Sequence, residues 1–569
     1  MSAHLDQFIS WVKENGATYE KFDFKTDSEG IGCVYATTKV GAGESLATLP
    51  FRLAITEKVA RNALPNLDQH SCRNVMSLFL AQQKKIGNES FYAPYLNILP
   101  EKIMTGLCFD KNDMRFLENT TLYNSIEERR QNVYNEFQQL IKDSPENKNI
   151  TWDEFLWAYS VLSSRSFPYS LIDPSYDGPS EVLFPLLDAL NHKPHTHITW
   201  MRNGDPETGS LSFVIGNEIE AGEQIFNNYG PKVCDLLLLG YGFCFENNEY
   251  DHVALKPNIS MDPNAQAKLQ IVQQANVVSS SKEEPLLNYI HQDNIPSSFY
   301  KLMRIMVMNE LELSCYLNCT DSSLLDFVGY RNEIAMLNTI NALLQARLMA
   351  IRKFSVDITH ITSWQKYAIL YRQGQEKLLT IIVARIEQEK SNMLRRMSTV
   401  TELPPVAPFL SIINPEYFAQ QKQLWDIKKT QEEKSNSGVV TLDSVVITLN
   451  QLLQRNPRFK KATEQLFEDI EEEQDIVMML ALIEERSKGR ESKWNAFFER
   501  TRDINKNQVP SNEEAVEELQ DLYDSLFPAF TEAFPDTFSA EIYSFEALLW
   551  AEYILNNYSL NNSIFIVPI

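Results

Sequence analysis

Four short segments of the chain combine residue types that could bind a ligand and carry out chemistry. They are EGIG at residues 29–32, SSRSF at 163–167, LDALNH at 187–192, and FNNYG with LGYGF between 226 and 243. The glycines of the first segment let the backbone approach a ligand closely. In the last, Tyr229 and Tyr241 offer hydroxyl groups and aromatic ring faces.

Each segment alone also has a structural explanation. A glycine-rich turn can simply lead into a strand, Arg165 can be solvated or ion-paired, and the Asn–His pair can cap the apolar run before it. Tyrosines beside glycines are often corners of a core. The order and spacing of all four segments together therefore carry more information than any one of them.

The elements that position these segments follow from hydrophobic periodicity. Residues 71–164 have helical apolar spacing, so Arg165 ends a helical stretch. Short strands are predicted around EGIG and between residues 198 and 226, where NGDP forms a strong turn signal. Beyond residue 258 the pattern is almost entirely helical.

These segments resemble the SET methyltransferases, specifically the class that includes plant Rubisco large-subunit lysine methyltransferase. That class also holds fungal ribosomal-protein lysine methyltransferases and actin-histidine methyltransferases. The likeness runs from residue 1 to about 255 and continues more weakly to about 400. It implies an α+β fold, with a SET β-fold carrying a helical insertion and then a large all-α C-terminal substrate-binding region.

The resemblance also implies a cofactor, S-adenosyl-L-methionine, and the residues that hold it. Backbone groups at residues 29–31 would meet its methionine end, and Arg165 would contact its carboxylate. Asn191 and His192 would hold its adenine and amino-acid parts, with help from Asp188. The predicted cofactor-binding residues are Glu29, Gly30, Ile31, Arg165, Asp188, Asn191, His192 and Tyr229.

The same resemblance makes Tyr229 and Tyr241 the predicted catalytic residues. Methyl transfer from a sulfonium to an amine is an in-line displacement, which depends mainly on alignment of the reacting atoms. Tyr229 would orient the amine, and Tyr241 would line the channel of the acceptor lysine. Burial among aromatic walls would help the lysine to lose its proton. No metal is required, and no cysteine follows Cys319 to complete a zinc site.

Composition limits the partners of the chain. Its net charge of −24 argues against binding nucleic acid and suits the attraction of a basic protein substrate. The sequence contains no uninterrupted apolar run long enough to span a membrane, and a monomer is expected. Seven cysteines without framework spacing indicate a reducing compartment, the cytoplasm or alternatively the nucleus.

The predicted domain order divides the chain into five parts. They are the N-terminal part of the SET domain (1–65), a helical insertion (66–164), the C-terminal part of the SET domain with the active site (165–255), a helical substrate-binding domain (256–430) and a helical C-terminal lobe (431–569). Residues 428–438 are the best candidate for a linker.

The C-terminal lobe also contains two segments that resemble the insertion in sequence. Residues 480–497 resemble residues 78–95, and residues 544–560 resemble residues 151–167. Tyr558 then stands where Arg165 stands, and no second DxxNH or YG segment follows, so no second active site is expected. Chance similarity between amphipathic helices is the alternative explanation.

The predicted function is S-adenosylmethionine-dependent methylation of a lysine of a ribosomal protein. Alternatives are a lysine of an elongation factor or a histidine as the acceptor, both with the same fold. A catalytically inactive SET scaffold is the alternative of a different kind, although each motif position carries a competent residue.

Overall fold

The structure is a computed structural model. It describes residues 3–27, 30–277, 286–319, 322–398, 446–467, 473–502, 513–560 and 563–565, together with positions 279, 284, 469 and 470. Glu29 and the candidate linker at 428–438 lie outside these residues.

The strands are short and most lie in the first half of the chain. They are β1 Thr18–Tyr19, β2 Phe22–Thr26, β3 Gly32–Ala36, β4 Ser45–Pro50, β5 Ile55–Thr56, β6 Phe167–Pro168, β7 Glu181–Leu183, β8 Asn191–His192, β9 Ile198–Asn203, β10 Ser210–Ile215, β11 Phe226–Asn227, β12 His252–Leu255, β13 Asn288–His291, β14 Val446–Thr448, β15 Ser559–Leu560 and β16 Ser563–Phe565.

The helices account for most of the remaining described chain. They are α1 Ala3–Glu14, α2 Glu57–Ala63, α3 Cys72–Ile86, α4 Ala93–Leu96, α5 Lys111–Arg115, α6 Thr121–Asp143, α7 Trp152–Arg165, α8 Cys234–Tyr241, α9 Ala265–Gln274, α10 Ser297–Met306, α11 Glu310–Cys319, α12 Tyr330–Arg352, α13 Ser363–Ser398, α14 Leu449–Arg455, α15 Pro457–Leu466, α16 Gln474–Ser487, α17 Asn495–Thr501, α18 Glu513–Ala533 and α19 Phe545–Tyr558.

The chain divides into two compact units. Unit 1 consists of residues 1–253 and 347–379, and unit 2 of residues 254–346 and 380–569. Residues 347–379 thus group with the N-terminal unit, whereas the sequence-based domain boundaries place them in the substrate-binding domain. The predicted boundary at residue 430 lies outside the described residues.

Unit 1 is built from small sheets around a helical pair. The largest sheet has the strand order β1-β4-β10-β9 with antiparallel pairing, and β2 pairs with β3 beside it. Helices α3 and α7 carry the most buried side chains of the insertion, among them Leu78, Phe155 and Tyr159. Thr151 and Glu154 form a reciprocal capping box, which explains why α7 begins where it does.

The C-terminal region is helical as predicted, and it also contains strands β13 to β16. Each of these strands has four residues or fewer, too few for an alternating pattern to be recognised in the sequence. Helix α12 is long and apolar enough to cross a membrane, and 44% of its most apolar 18-residue segment is buried inside the protein. A core helix of a soluble protein meets the same criteria.

The last elements of unit 2 repeat the order of a part of unit 1. In unit 1, β5, α2, α3, α7, β6 and β7 occur in this order along the chain, with α4, α5 and α6 between α3 and α7. The three strands pair in the order β5-β7-β6. In unit 2, β14, α14, α16, α19, β15 and β16 occur in this order, with α17 and α18 between α16 and α19. Their strand order is β14-β16-β15. All of these pairs are antiparallel. Helix α15 is an addition in unit 2.

Side-chain contacts also recur at matching positions of the two segments. The ammonium of Lys84 lies 3.4 Å from the centre of the Trp157 ring, and the guanidinium of Arg486 lies 4.2 Å from that of Trp550. Lys84 and Arg486 occupy the same position in the aligned sequences, as do the two tryptophans. Two further contacts match. Thr56 caps the start of α2 as Thr448 caps that of α14, and the Ser90 hydroxyl donates to Gln83 as that of Ser492 donates to Glu485.

Helix α8, which carries Tyr241, is held by two aspartates. The Asp251 carboxylate accepts a hydrogen bond of 2.6 Å from the backbone N–H of Cys234, at the start of the helix. Asp235 accepts a hydrogen bond of 3.2 Å from the Tyr371 hydroxyl of α13. Burial raises the pKa of Asp235 to about 7, with a further rise from Asp251 and an opposing effect of the Tyr371 hydroxyl.

We expect Asp235→Asn to raise the Tm of unit 1 at about pH 8 and to leave it unchanged at about pH 4. Between the usual pKa of an aspartate and about 7, the folded state binds the extra proton, so the free energy of unfolding falls as the pH rises through this window. The asparagine keeps the acceptor for Tyr371 without the buried charge. Thermal denaturation at both pH values measures this, and an equal change at both would contradict it.

Candidate active site

Two of the four motif segments meet in a pair of parallel strands. Phe226 of β11 pairs with Asn191 of β8, and Asn227 pairs with His192. The backbone N–H of Lys193 donates to the Asn227 carbonyl at 2.9 Å and continues the pairing by one residue. This pairing places Asn191, His192 and Tyr229 together although 37 residues separate His192 from Tyr229 along the chain.

Three aromatic rings stack at the end of this strand pair. The Tyr229 ring lies between those of His192 and Tyr241, with centroid distances of 5.0 Å and 5.1 Å. The backbone N–H of Tyr229 donates to Nδ1 of His192 at 3.0 Å, and the Tyr229 hydroxyl donates to the Leu190 carbonyl at 2.8 Å. Burial raises the pKa of Tyr229 above its usual range, so the hydroxyl stays protonated at neutral pH.

A buried carboxylate holds the arginine that ends α7. The Asp188 side chain is 3% exposed and that of Arg165 is 28% exposed, and their charged groups are 3.4 Å apart. Arg165 also donates to the Asp188 carbonyl at 3.2 Å, while the Tyr95 hydroxyl donates to the Asp188 carboxylate at 2.7 Å. Burial raises the pKa of Asp188, and Arg165 and Tyr95 oppose that rise.

The backbone before Asp188 adopts an uncommon conformation. Leu186 has a φ of +83°, which residues other than glycine rarely adopt, and its side chain is buried. The N–H groups of Leu187 and Asp188 both donate to the Phe184 carbonyl at 3.1 Å. Strained turns of this kind are concentrated at functional sites.

The EGIG segment reaches the strand pair through Asn191. The Asn191 side chain donates to the Gly32 carbonyl at 3.0 Å and contacts the Cys33 sulfur at 3.4 Å. Gly30 has a φ of +86°, which explains the need for glycine there, and Ile31 is 39% exposed. Glu29, the first predicted cofactor-binding residue, lies outside the described residues.

A cavity of about 530 Å³ joins the arginine to the aromatic stack. Four of the predicted site residues line it, namely Arg165, Asp188, Tyr229 and Tyr241. His192 contacts this group through the backbone N–H of Tyr229, whereas Asn191 binds Gly32, which does not line the cavity. Its other lining residues are Arg73, Ser164, Ser166, Phe167, Pro168, Leu171, Glu181, Leu190, Trp200, Asn227, Asn228 and Lys232.

Several of these lining residues were not predicted from the sequence. Arg73 of α3 makes a bidentate ion pair with Glu181 of β7, with distances of 2.8 Å and 2.7 Å, and the Ser166 hydroxyl donates to the same carboxylate at 2.6 Å. Arg73 and Glu181 are 108 residues apart, so no local pattern could reveal the pair. Lys232 lies three residues after Tyr229, but its sequence context does not distinguish it from a surface lysine.

The polar groups of the cavity fit an amino-acid-bearing cation such as S-adenosyl-L-methionine. Arg165 lines the cavity with a partly exposed side chain, and its guanidinium can bind a carboxylate in the fork geometry that arginine favours. The neighbouring ring faces of Tyr229 and Tyr241 can stabilise a positive charge. Among the residues that the structure describes, no group of three or more His, Cys, Asp or Glu side chains could hold a metal ion.

The chain has relatives among curated proteins, although no family model matches it. It is 26% identical to the ribosomal lysine N-methyltransferase set10 of Schizosaccharomyces pombe, over 98% of this chain and 98% of that protein. It is also 26% identical to the human actin-histidine N-methyltransferase, over 55% of this chain and 54% of that enzyme.

Solved structures share its fold. Rubisco LSMT bound to AdoMet superposes with a TM-score of 0.58 at 20% identity, covering 69% of this chain and 93% of that one. The SET domain of LSMT bound to lysine and AdoHcy gives 0.59 at 19% identity, covering 73% and 99%. The chain has the SET fold of these protein methyltransferases. The α+β fold is the one predicted from the sequence, and the likeness to the ribosomal lysine N-methyltransferase extends along nearly the whole of both chains.

Proposed function

We propose that this protein transfers methyl groups to a lysine side chain of a ribosomal protein, with Tyr229 as its catalytic residue. The similarity to the fission-yeast ribosomal enzyme over nearly the whole of both chains supports the substrate class. The single structural observation behind the site assignment is that Tyr229, which stacks on His192, lines one cavity together with Tyr241 and Arg165.

The proposed site has a cofactor end and an acceptor end. Arg165, held by Asp188, would bind the cofactor carboxylate, and Asn191 and His192 would hold the rest of the cofactor together with backbone groups at residues 29–31. When bound, the cofactor supplies a methyl group on a cationic sulfur. Phe167, Trp200 and the tyrosines supply walls of low polarity at the acceptor end.

Tyr229 orients the acceptor rather than deprotonating it. Its hydroxyl is protonated at neutral pH and donates to the fixed Leu190 carbonyl, so its own oxygen can accept a hydrogen bond from an amine. Such orientation aligns the amine lone pair for an in-line displacement. The proton of a lysine ammonium passes to water before the amine reacts.

A histidine acceptor is the second candidate. The actin-histidine N-methyltransferase of chicken is 25% identical over 70% of this chain and 71% of that enzyme. A neutral imidazole needs no prior loss of a proton at pH 7, unlike a lysine. The pH dependence of kcat therefore distinguishes the two acceptors.

Incubation with labelled S-adenosyl-L-methionine tests the proposal. The acceptors are ribosomal subunits from cells that lack the gene, purified elongation factor and purified actin, each offered separately. We expect label on a ribosomal protein, located by mass spectrometry to a lysine. Label confined to elongation factor or to actin would contradict the proposed substrate, and label on a histidine would contradict the proposed acceptor.

We also propose that the C-terminal lobe is a degenerate copy of the inserted part of the SET domain. The recurring strand order and the paired ring contacts support this origin. At the positions of Tyr95 and Arg165 the lobe has Phe497 and Tyr558, whose rings pack 5.3 Å apart. These rings fill the place where unit 1 has an arginine beside a carboxylate, so the lobe would serve docking or stability rather than cofactor binding.

A further inference from the structure

Three cationic side chains line the cavity, and two of them have a carboxylate partner. Arg165 pairs with Asp188, and Arg73 pairs with Glu181. Lys232 differs, because no described carboxylate lies within ion-pair distance of its ammonium, which sits 5.5 Å from the centre of the Tyr241 ring. Its positive charge is therefore the one that the described lining of the cavity leaves uncompensated.

The surroundings of Lys232 leave its charge effective within the site. Its side chain is half-buried, and burial lowers its pKa. Burial also lowers the pKa of His192, a hydrogen bond with the Asn227 backbone opposes this, and the charge of Lys232 lowers the pKa, so the field of Lys232 reaches the ring that stacks on Tyr229. The titratable and charged groups of the neighbouring elements are Arg73 of α3, Arg165 of α7, Glu181 of β7, Asp188, His192 of β8, Tyr229, Asp235 and Tyr241 of α8, and Asp251, which binds the start of α8.

A lysine acceptor entering this cavity brings a second ammonium close to the first. Two like charges in a partly desolvated site disfavour the charged form of each. A lysine is activated in this way when another cation lies next to it. The tyrosines cannot do this by themselves, because their hydroxyls are neutral at working pH.

We propose that Lys232 acts electrostatically on the acceptor lysine: the positive charge of its ammonium promotes loss of the proton from that lysine. This inference rests on the proposed function, since it applies to a lysine and not to an imidazole that is already neutral. The proton leaves to water, and Lys232 itself neither gains nor loses a bond.

The test compares Lys232→Met, which removes the charge at nearly constant length, with Lys232→Arg, which keeps it. Lys193→Met is the matched control, because Lys193 is an exposed lysine next to His192 in the sequence that does not line the cavity. The pH dependence of kcat is measured with saturating ribosomal subunits, because kcat reports groups in the bound complex. We expect Lys232→Met to shift the acidic limb of the kcat profile toward higher pH by about one pH unit.

That shift corresponds to an approximately tenfold lower kcat on the acidic limb and an unchanged kcat at high pH. KM should not rise, because the variant no longer repels the protonated lysine. Lys232→Arg and Lys193→Met should give the profile of the unsubstituted chain. A superimposable profile for Lys232→Met would overturn the role of Lys232, while absence of any transfer by the unsubstituted chain would refute the proposed function on which that role depends.

Two further measurements need no acceptor. In nuclear magnetic resonance titrations, the pKa of His192 should rise in Lys232→Met and stay constant in Lys232→Arg, and an unchanged pKa in Lys232→Met would overturn the inference. Mass spectrometry of the chain after incubation with S-adenosyl-L-methionine should find Lys232 unmodified. A methyl group on Lys232 would identify it as an acceptor and would likewise overturn the inference.

Discussion

Replacing Tyr229 by phenylalanine is expected to lower kcat by about 10²- to 10³-fold while leaving the cofactor Kd nearly unchanged. The ring would remain in the stack between His192 and Tyr241, so binding contacts would persist. The hydroxyl that donates to Leu190 and orients the amine would be lost. Single-turnover kinetics with ribosomal subunits measures the chemical step, and calorimetry with S-adenosylhomocysteine measures the Kd.

Tyr543→Phe is the control for loss of a buried tyrosine hydroxyl. Tyr543 belongs to unit 2, and its hydroxyl donates to Glu484 at 2.8 Å. We expect its removal to affect stability and not kcat. If Tyr229→Phe lost cofactor binding instead of turnover, the role assigned to Tyr229 would be wrong.

Replacing Arg165 by methionine is expected to weaken cofactor binding by about 10- to 100-fold, the range for losing a hydrogen bond to a charged group. The structure leaves this guanidinium partly exposed to the cavity while Asp188 and its carbonyl hold it in place. At saturating cofactor, kcat should fall much less than in Tyr229→Phe. The measurement is a calorimetric titration of each variant with S-adenosylhomocysteine.

Tyr95→Phe separates cofactor binding from support of Asp188. It removes the other donor to the Asp188 carboxylate and leaves Arg165 in place. Phenylalanine occurs at the matching position of the C-terminal lobe, as Phe497, so the surrounding helices can accept it. We expect a lower Tm and an unchanged cofactor Kd. Equal weakening of cofactor binding in both variants would show that Arg165 acts through Asp188 rather than by direct contact.

The titration also counts cofactor sites. The degenerate-copy proposal predicts one site per chain, and Arg165→Met should weaken all of the binding. A second class of site that survives in Arg165→Met would contradict the proposal that Phe497 and Tyr558 have closed the matching position of the lobe.

The sequence was informative where a local pattern carries the chemistry. The DxxNH and YG segments could be recognised from residue types and order, and the parallel pairing of β8 with β11 explains why they belong together. The end of α7 at Arg165 followed from helical periodicity. The assigned roles of the individual site residues remain predictions.

The sequence was uninformative where a contact joins distant residues or depends on an unusual backbone. Arg73 and Glu181 come into contact only when the chain folds, and a leucine at position 186 does not indicate a left-handed φ. Lys232 looks like any surface lysine in the sequence, and the absence of a described carboxylate partner becomes visible only in the folded cavity.

A crystal structure of the chain with S-adenosylhomocysteine tests the site assignment most directly. We predict that the cofactor carboxylate lies within hydrogen-bonding distance of the Arg165 guanidinium, and that the cofactor sulfur points toward the space between Tyr229 and Tyr241. Asn191 and His192 should contact the cofactor in the same structure. A cofactor bound elsewhere, or one whose sulfur points away from Tyr229, would contradict the assignment of this cavity as the site of methyl transfer.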